Sequence, residues 1–579
     1  MPTNESQDTS VSPSAKKRPS VALTAIAYLL ACAGPLVTAG LYYQATRSAG
    51  VETGFPLDDS WIHAQYSRTL IEGHPFEYVP GEPSIGTTSV LFDVVWAAAT
   101  WATGEYVYTI HAVNILLTMG VGAVLVALLL RFNLPPLTAG VGAALIVTSY
   151  PFPWSNLSGM ETSLVSFLTA AAVLAHIAGR KRTGWRPLIA PVLMGLAAMS
   201  RPENLILYPI SELDRLIVYL VRRDGAGRPG GLRRFVLRAA VFGMTLTPYF
   251  ALNYAIHGAP VPNTYEAKVG ALSLGSDIET GGLSVLSGRI ATSLRLAKDT
   301  LWFLAWEDNI VLLVLAIPGV VLLFRPRPSS PGGASFYPIL AATGCVTAVG
   351  FVTLGFFFPG QSQRYMIQWI PLIFIYGVVG MDLIARGAAS LFPTARRVVY
   401  GAVIVIAVAA NLFYMHSLYR EQVDHYVLAV SNINDMQVRL GKWVEQNTPP
   451  NAVIATNDIG AIAFFGRRPI VDTIGLIDPE VVRRKRLPNA TEAMLDYFKQ
   501  RKVTYAILFP TWHPDLILNE QLVPIDRVIL DDNFICGDER MLVLALDWDG
   551  SQTTEPQPAW VDEEYRACKK WLKWRKFLP

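Results

Sequence analysis

The chain is short of charge. Of its 579 residues only 16% are Asp, Glu, Lys or Arg, against about 25% in soluble domains, and 52% are hydrophobic. That deficit excludes an ordinary water-soluble globule and points to lipid. The chain is also short of cysteine. Its four, Cys32, Cys345, Cys536 and Cys568, form no Cys-x-x-Cys pair and no Cys/His cluster, which argues against a structural zinc site. Cys32 and Cys345 fall in apolar runs and read as inert core residues. No charge of one sign accumulates: the net charge is +3, and no nucleic-acid partner is implied. No internal repeat is visible.

What is present is a series of long apolar runs. They lie near residues 22–43, 108–130, 136–150, 161–179, 188–200, 204–221, 235–256, 301–324, 335–358, 366–385 and 397–415. Residues 1–20 are rich in Ser, Thr, Pro and Lys and read as a disordered cytoplasmic tail. The run that follows is too long for the core of a signal peptide, so it reads as an uncleaved first span. Basic residues gather on the cytoplasmic side of membrane proteins. If eleven spans alternate, Lys16-Lys17-Arg18, Arg131, Arg180-Lys181-Arg182, Arg222-Arg223, Arg325 and Arg396-Arg397 all fall on one side. The segments 44–107, 151–160 and 257–300 then lie outside. This parity requires that the short run Val90–Ala102, interrupted by Asp93, does not cross. It reads as an interfacial helix.

After Tyr419 the pattern changes. Ala452–Thr456, Pro469–Thr473 and Tyr505–Phe509 read as short buried strands, separated by helix-like stretches such as Thr491–Arg501. The expected architecture is therefore a polytopic α-helical membrane domain over 21–419, with about eleven spans, and a soluble α/β domain over 420–579 outside the cytoplasm. In that compartment Cys536 and Cys568 can be bridged or remain free thiols.

Candidate chemistry starts in the first external loop. After Asp58-Asp59, the residues Ile62, Tyr66 and Leu70 recur at helical spacing, which predicts a short surface helix. Asp59, His63 and Ser67 share one of its faces. One acid could cap this helix, but a single cap does not need two. The alternative is a general base held at the membrane face. Glu161, at the external end of a span, is either an acid favoured by the helix dipole or a second carboxylate of the same pocket. Three further clusters bring cations to that side: Arg201-Pro202-Glu203, Asn263 to Lys268, and Arg364-Tyr365. Such cations either hold a lipid phosphate or pair with the acids. These residues sit at span ends. A transporter places its polar groups at mid-membrane.

These residues resemble the GT-C fold of membrane glycosyltransferases, and most of all its arabinofuranosyltransferase and mannosyltransferase-like branch. The likeness rests on Asp58-Asp59, Gly73-His74-Pro75-Phe76, Pro80-Gly81-Glu82 and Gly86-Thr87-Thr88-Ser89. Further along it rests on Gly159-Met160-Glu161-Thr162, Arg201-Pro202-Glu203, Pro262-Asn263-Thr264 with Lys268, and Arg364-Tyr365. It spans roughly residues 20–420. Asn457-Asp458-Ile459-Gly460-Ala461 resembles extracytoplasmic domains attached to some members, with no chemistry attached to it. The resemblance implies a polyprenyl-phosphate-sugar donor, a glycan or glycolipid acceptor, and a bacterial inner-membrane location. It also implies Asp58 or Asp59 as base, with Glu161 as second acid. Some members use a divalent metal, and this sequence shows no dedicated ligand set.

The expected reaction is inverting transfer of a sugar outside the cytoplasm. Arg201, Lys268 and Arg364 are the candidates for stabilising the leaving phosphate. Trp61, His63, Tyr66 and His74 are candidates for lining the sugar pocket, or else membrane anchors. Glu203, Asn263 and Tyr365 complete the candidate binding set. The rival readings are a transporter or flippase of lipid-linked sugars, and a non-catalytic envelope scaffold.

Overall fold

Apolar backbone can satisfy its polar groups in lipid by coiling into helices, and most of the chain does so. A computed structural model describes residues 20–221, 231–323 and 364–575, apart from 88, 181, 183, 261, 265–266, 268–286, 289–290, 292–293, 296–297, 300–301 and 549–557. In chain order the helical part contains α1 (Val21–Ser48), α2 (Asp58–Ile71), α3 (Val90–Thr103), α4 (Val107–Arg131), α5 (Pro136–Thr148), α6 (Thr162–Gly179), α7 (Ile189–Ser200), α8 (Leu207–Val221), α9 (Gly231–His257), α10 (Ile310–Leu323), α11 (Ile370–Ser390) and α12 (Arg396–Ile433). Among the described residues, six helices are long and apolar enough to cross a membrane: α1, α4, α6, α9, α11 and the one containing α12. The runs near 136–150 and 188–200 form helices of only 13 and 12 residues. The run 335–358 lies outside the described residues.

Helix α3 has 14 residues and ends at Gly104, whose φ of 76° suits a residue without Cβ. At 1.5 Å per residue it rises about 21 Å, short of the roughly 30 Å hydrocarbon core. Small residues let the long helices meet closely. A Cβ on Gly140 of α5 would sit 2.4 Å from Ala27 Cα of α1.

Helix α12 continues unbroken through Tyr419 and Arg420. A π-turn at Asn434–Val438 joins it to α13 (Arg439–Asn447). Beyond α13 the strands β3 (Ile454–Thr456), β4 (Ile470–Asp472), β5 (Tyr505–Leu508), β6 (Leu522–Ile529) and β7 (Arg540–Leu546) form one sheet in the order β4-β3-β5-β7-β6. β4, β3 and β5 are parallel, with Ala455 opposite Val471 and Ala506. β7 runs antiparallel to β5 and β6. The parallel strands are short and almost wholly buried, which is why they read as continuous apolar runs. The helix α14 (Gly460–Gly466) follows β3. Cys32, Cys536 and Cys568 are free thiols, so no bridge joins Cys536 to Cys568.

The segment between α1 and α3, which includes a small hairpin β1 (Glu77–Val79) and β2 (Glu82–Pro83), is clamped against the C-terminal domain. Arg68 Nη1 donates to the Phe464 carbonyl at 2.5 Å, and Tyr78 Oη donates to the Ile459 carbonyl at 2.7 Å. Arg501 pairs with Glu82 at 2.6 Å.

Candidate active site

Helix α2 begins at Asp58, with Leu57 at its cap position, and neither acid caps it. Asp58 serves a different helix. Its two carboxylate oxygens accept the backbone N–H groups of Gly460 and Ala461, both at 2.8 Å. A carboxylate gripped by two N–H donors at a helix start is a strong, directional contact. The approach needs glycine, since a Cβ on Gly460 would lie 2.1 Å from the Asp58 carbonyl oxygen. Asp59, one position on and about 100° round the helix, points elsewhere. Its Oδ2 accepts Arg364 Nη1 at 2.8 Å, and its side chain is 37% exposed.

From Arg364 a chain of charged side chains runs inward. Arg364 Nη2 donates to Tyr365 Oη at 3.0 Å, and its guanidinium lies 5.0 Å from the Tyr365 ring. Arg201 lies 4.7 Å from the same ring and donates to the Arg364 carbonyl at 2.9 Å. Arg201 Nη1 reaches Glu161 Oε1 at 3.2 Å, and Nη2 is 3.5 Å from Glu203. The other Glu161 oxygen faces His63 Nε2 at 3.5 Å. His63 Nδ1 donates to Asp93 at 2.6 Å, with the Thr87 hydroxyl 3.3 Å from the same nitrogen. Asp93, His63, Glu161, Arg201 and Arg364 are all buried. Buried charges are stable only when paired, and each of these has a partner of opposite sign.

The electrostatics follow. Burial alone would lower His63, but the charge and hydrogen bond of Asp93, reinforced by Glu161, raise it to about 10. It is therefore an imidazolium at neutral pH. Burial alone would raise Glu161, but Arg201 and then His63 hold it down at about 2. Burial pushes Asp58 well above the usual carboxylate range, and the charge of Asp458 adds to this; the two N–H bonds work against it. Asp458 in turn is raised to about 6 by burial and by the charges of Asp59 and Asp472, while Gln437 and Asn457 donate to it at 2.7 and 3.2 Å.

The structure thus brings together Asp59, His63, Glu161, Arg201, Glu203, Arg364 and Tyr365. Other candidates lie elsewhere in the packing. Trp61 is buried among Phe55, Phe464 and Phe465. Tyr66 Oη accepts the Gly86 N–H at 2.7 Å and bonds Ser84. His74 pairs with Glu77 in the hairpin, and Asn263 donates to the Gly475 carbonyl at 2.6 Å. Lys268 lies outside the described residues. Three participants were not singled out from sequence. Asp93 stood only as an interruption of an apolar run, although an acid in such a run is itself the signal. Thr87 and Asp458 sat inside motifs quoted for likeness alone. Among the described residues no group of three His, Cys, Asp or Glu is arranged to hold a metal ion.

Comparison with known proteins places this architecture. The chain has a GT-C fold, shared with the following solved structures. The oligosaccharyltransferase of Archaeoglobus fulgidus, in a structure with Zn and sulfate, superposes with a TM-score of 0.56 at 14% identity, over 86% of this chain and 69% of that one. The same archaeal protein, AglB, in complex with an inhibitory peptide and a dolichol-phosphate, gives 0.53 at 12% identity, over 84% and 69%. ArnT from Cupriavidus metallidurans, bound to undecaprenyl phosphate, gives 0.54 at 13% identity, over 93% and 100%. At such identities the likeness is one of fold. A family described as a domain of unknown function, DUF8728, matches residues 431–565. No curated protein matches the chain in sequence.

Proposed function

We propose that this chain is a glycosyltransferase that moves a sugar, with inversion, from a polyprenyl-phosphate-linked donor to a cell-envelope acceptor on the extracytoplasmic face of a bacterial inner membrane. The observation that supports it best is the line of charge from Asp59 to Asp93. It ends in a partly exposed carboxylate held by a buried arginine. In this reading Asp59 accepts the proton of the acceptor hydroxyl. The hydroxyl oxygen attacks the anomeric carbon, and the bond from that carbon to the lipid phosphate breaks with its electron pair going to the phosphate. Arg364 presents five N–H donors in a planar fork, so it can hold Asp59 and a phosphate oxygen together. Its charge stabilises the leaving phosphate as negative charge grows there. Arg201, Glu161, His63 and Asp93 keep Arg364 and Tyr365 in place. The one-sided arginine clusters of the loops support eleven spans, with the domain over 420–579 outside the cytoplasm.

The test is direct. Purified full-length protein in lipid nanodiscs is incubated with a panel of polyprenyl-phosphate sugars and envelope glycans. The expected result is a new glycosidic bond that Asp59→Asn and Arg364→Ala both abolish. Movement of labelled lipid-linked sugar across vesicles, with no new bond from any donor, would establish the transporter reading instead.

A further inference from the structure

Against the π-turn at Asn434–Val438 lies a cleft of about 660 Å3 that none of the chemistry above uses. One wall is the chain leaving α1, Ala49 to Glu52; the other is the end of α12, the π-turn and α13. Asn434 fastens the two walls by donating to the Glu52 carbonyl at 2.8 Å. The volume lies within the roughly 300–1,000 Å3 of sites that take small organic ligands.

The lining is specific in kind. Glu52 and Asp435 are two exposed acids, Arg439 and Lys442 two exposed bases, and Gln446 adds an amide. Half-buried Trp443 supplies an aromatic surface. The charges balance, so the cleft offers no net attraction to an anion or a cation. It offers many hydrogen-bond donors and acceptors around one flat ring, which suits a ligand dense in hydroxyl groups with an apolar sugar face.

Its position ties it to the reacting acids. The π-turn that lines the cleft with Asn434, Asp435 and Val438 also carries Gln437, which donates to Asp458. Asp458 lies close enough to Asp58 and Asp59 to perturb them. Cleft and acids therefore sit on two sides of one helical turn. The wall formed by Glu52 runs on through five residues to Asp58.

We infer that this cleft binds a short, uncharged oligosaccharide, as a subsite for an acceptor glycan. The word acceptor rests on the proposed glycosyl transfer; the binding of a neutral glycan does not.

The experiment uses the full chain in nanodiscs, titrated with mannotriose, galactotriose and maltotriose at millimolar concentration. The readouts are Trp fluorescence and saturation-transfer NMR, with inorganic phosphate as an anionic control. At least one trisaccharide is expected to bind, and Trp443→Ala is expected to weaken it by about three- to tenfold, the loss of one aromatic contact. Gln446→Ala, at an exposed position that leaves folding untouched, is expected to weaken it less. Asp59→Asn is expected to bind the sugar as wild type does. Binding of none of the three sugars, sugar binding unchanged in both cleft variants, or tighter binding of phosphate than of any sugar would overturn the assignment. Should sugar binding follow Trp443 while Asp59→Asn still transfers, the cleft stands and the role of Asp59 falls.

Discussion

The adjacent acids Asp58 and Asp59 should separate cleanly when each is changed to asparagine. Asp58 places both oxygens on backbone N–H groups of α14. Asparagine keeps one acceptor oxygen and turns an NH2 toward the other donor. The loss is a charged hydrogen bond, about 1.5–3 kcal/mol. At 1.4 kcal/mol per factor of ten, α14 should open about ten to a hundred times more often. Asp59 pairs a partly exposed carboxylate with the buried Arg364, and asparagine still offers it one acceptor oxygen, so the replacement should cost stability about 1–3 kcal/mol. As the proposed base, however, it should account for about 10²–10⁴-fold in rate. The assay combines hydrogen exchange over residues 457–466 with transfer from the active donor. Asp58→Asn should speed exchange there and keep most of the turnover per folded molecule. Asp59→Asn should leave exchange unchanged and remove turnover. The reasoning fails if Asp58→Asn abolishes transfer while exchange at α14 stays as in wild type.

Other variants probe the same contacts. Gly460→Ala forces a methyl into the Asp58 backbone, and overpacking of about 1–3 kcal/mol should loosen α14 as Asp58→Asn does, read by the same exchange measurement. Asp458 is raised from 3.8 to about 6, so the folded protein holds an extra proton between those values, and stability should fall as pH rises from about 4 to about 6. The change is at most about 3 kcal/mol; Asp458→Asn should flatten that slope in a melting series and raise stability at pH 7. Glu161→Gln leaves Arg201 and protonated His63 facing each other without their shared anion, and should destabilise by about 3–5 kcal/mol. Adding Arg201→Gln should restore part of that loss in thermal melts; strictly additive losses would show that the two residues are not coupled.

The sequence made some of these features legible and not others, for physical reasons. Apolar runs announce helices whatever they pack against, so α1, α4 and α6 are plain in the chain. Runs of 13 or 12 residues, such as α5 and α7, do not declare whether they cross. Strands β3, β4 and β5 are buried on both faces and read as apolar words. β6 mixes exposed and buried positions with a register shift near Pro524, and it went unseen together with β7, its buried antiparallel neighbour. In the site, the helical spacing of Asp59 and His63 put two members of the network on one face of α2. Which of Asp58 and Asp59 faces the arginine could not be read, because Asp58 is fixed by Gly460 and Ala461, 402 and 403 residues away. Trp61 looked like a sugar-pocket residue by type, but Phe464 and Phe465 of the C-terminal domain cover it. Burial by a distant segment leaves no local trace.

The bond between Asp58 and α14 also sets an order of events during biogenesis. About four hundred residues separate its partners. At a translation rate of about 5–20 residues per second, the first loop emerges tens of seconds before the segment that completes it. Until residues 460 and 461 have been made, Asp58 has no anchor. Synthesis halted before that point would leave the Asp58 carboxylate without its two backbone donors.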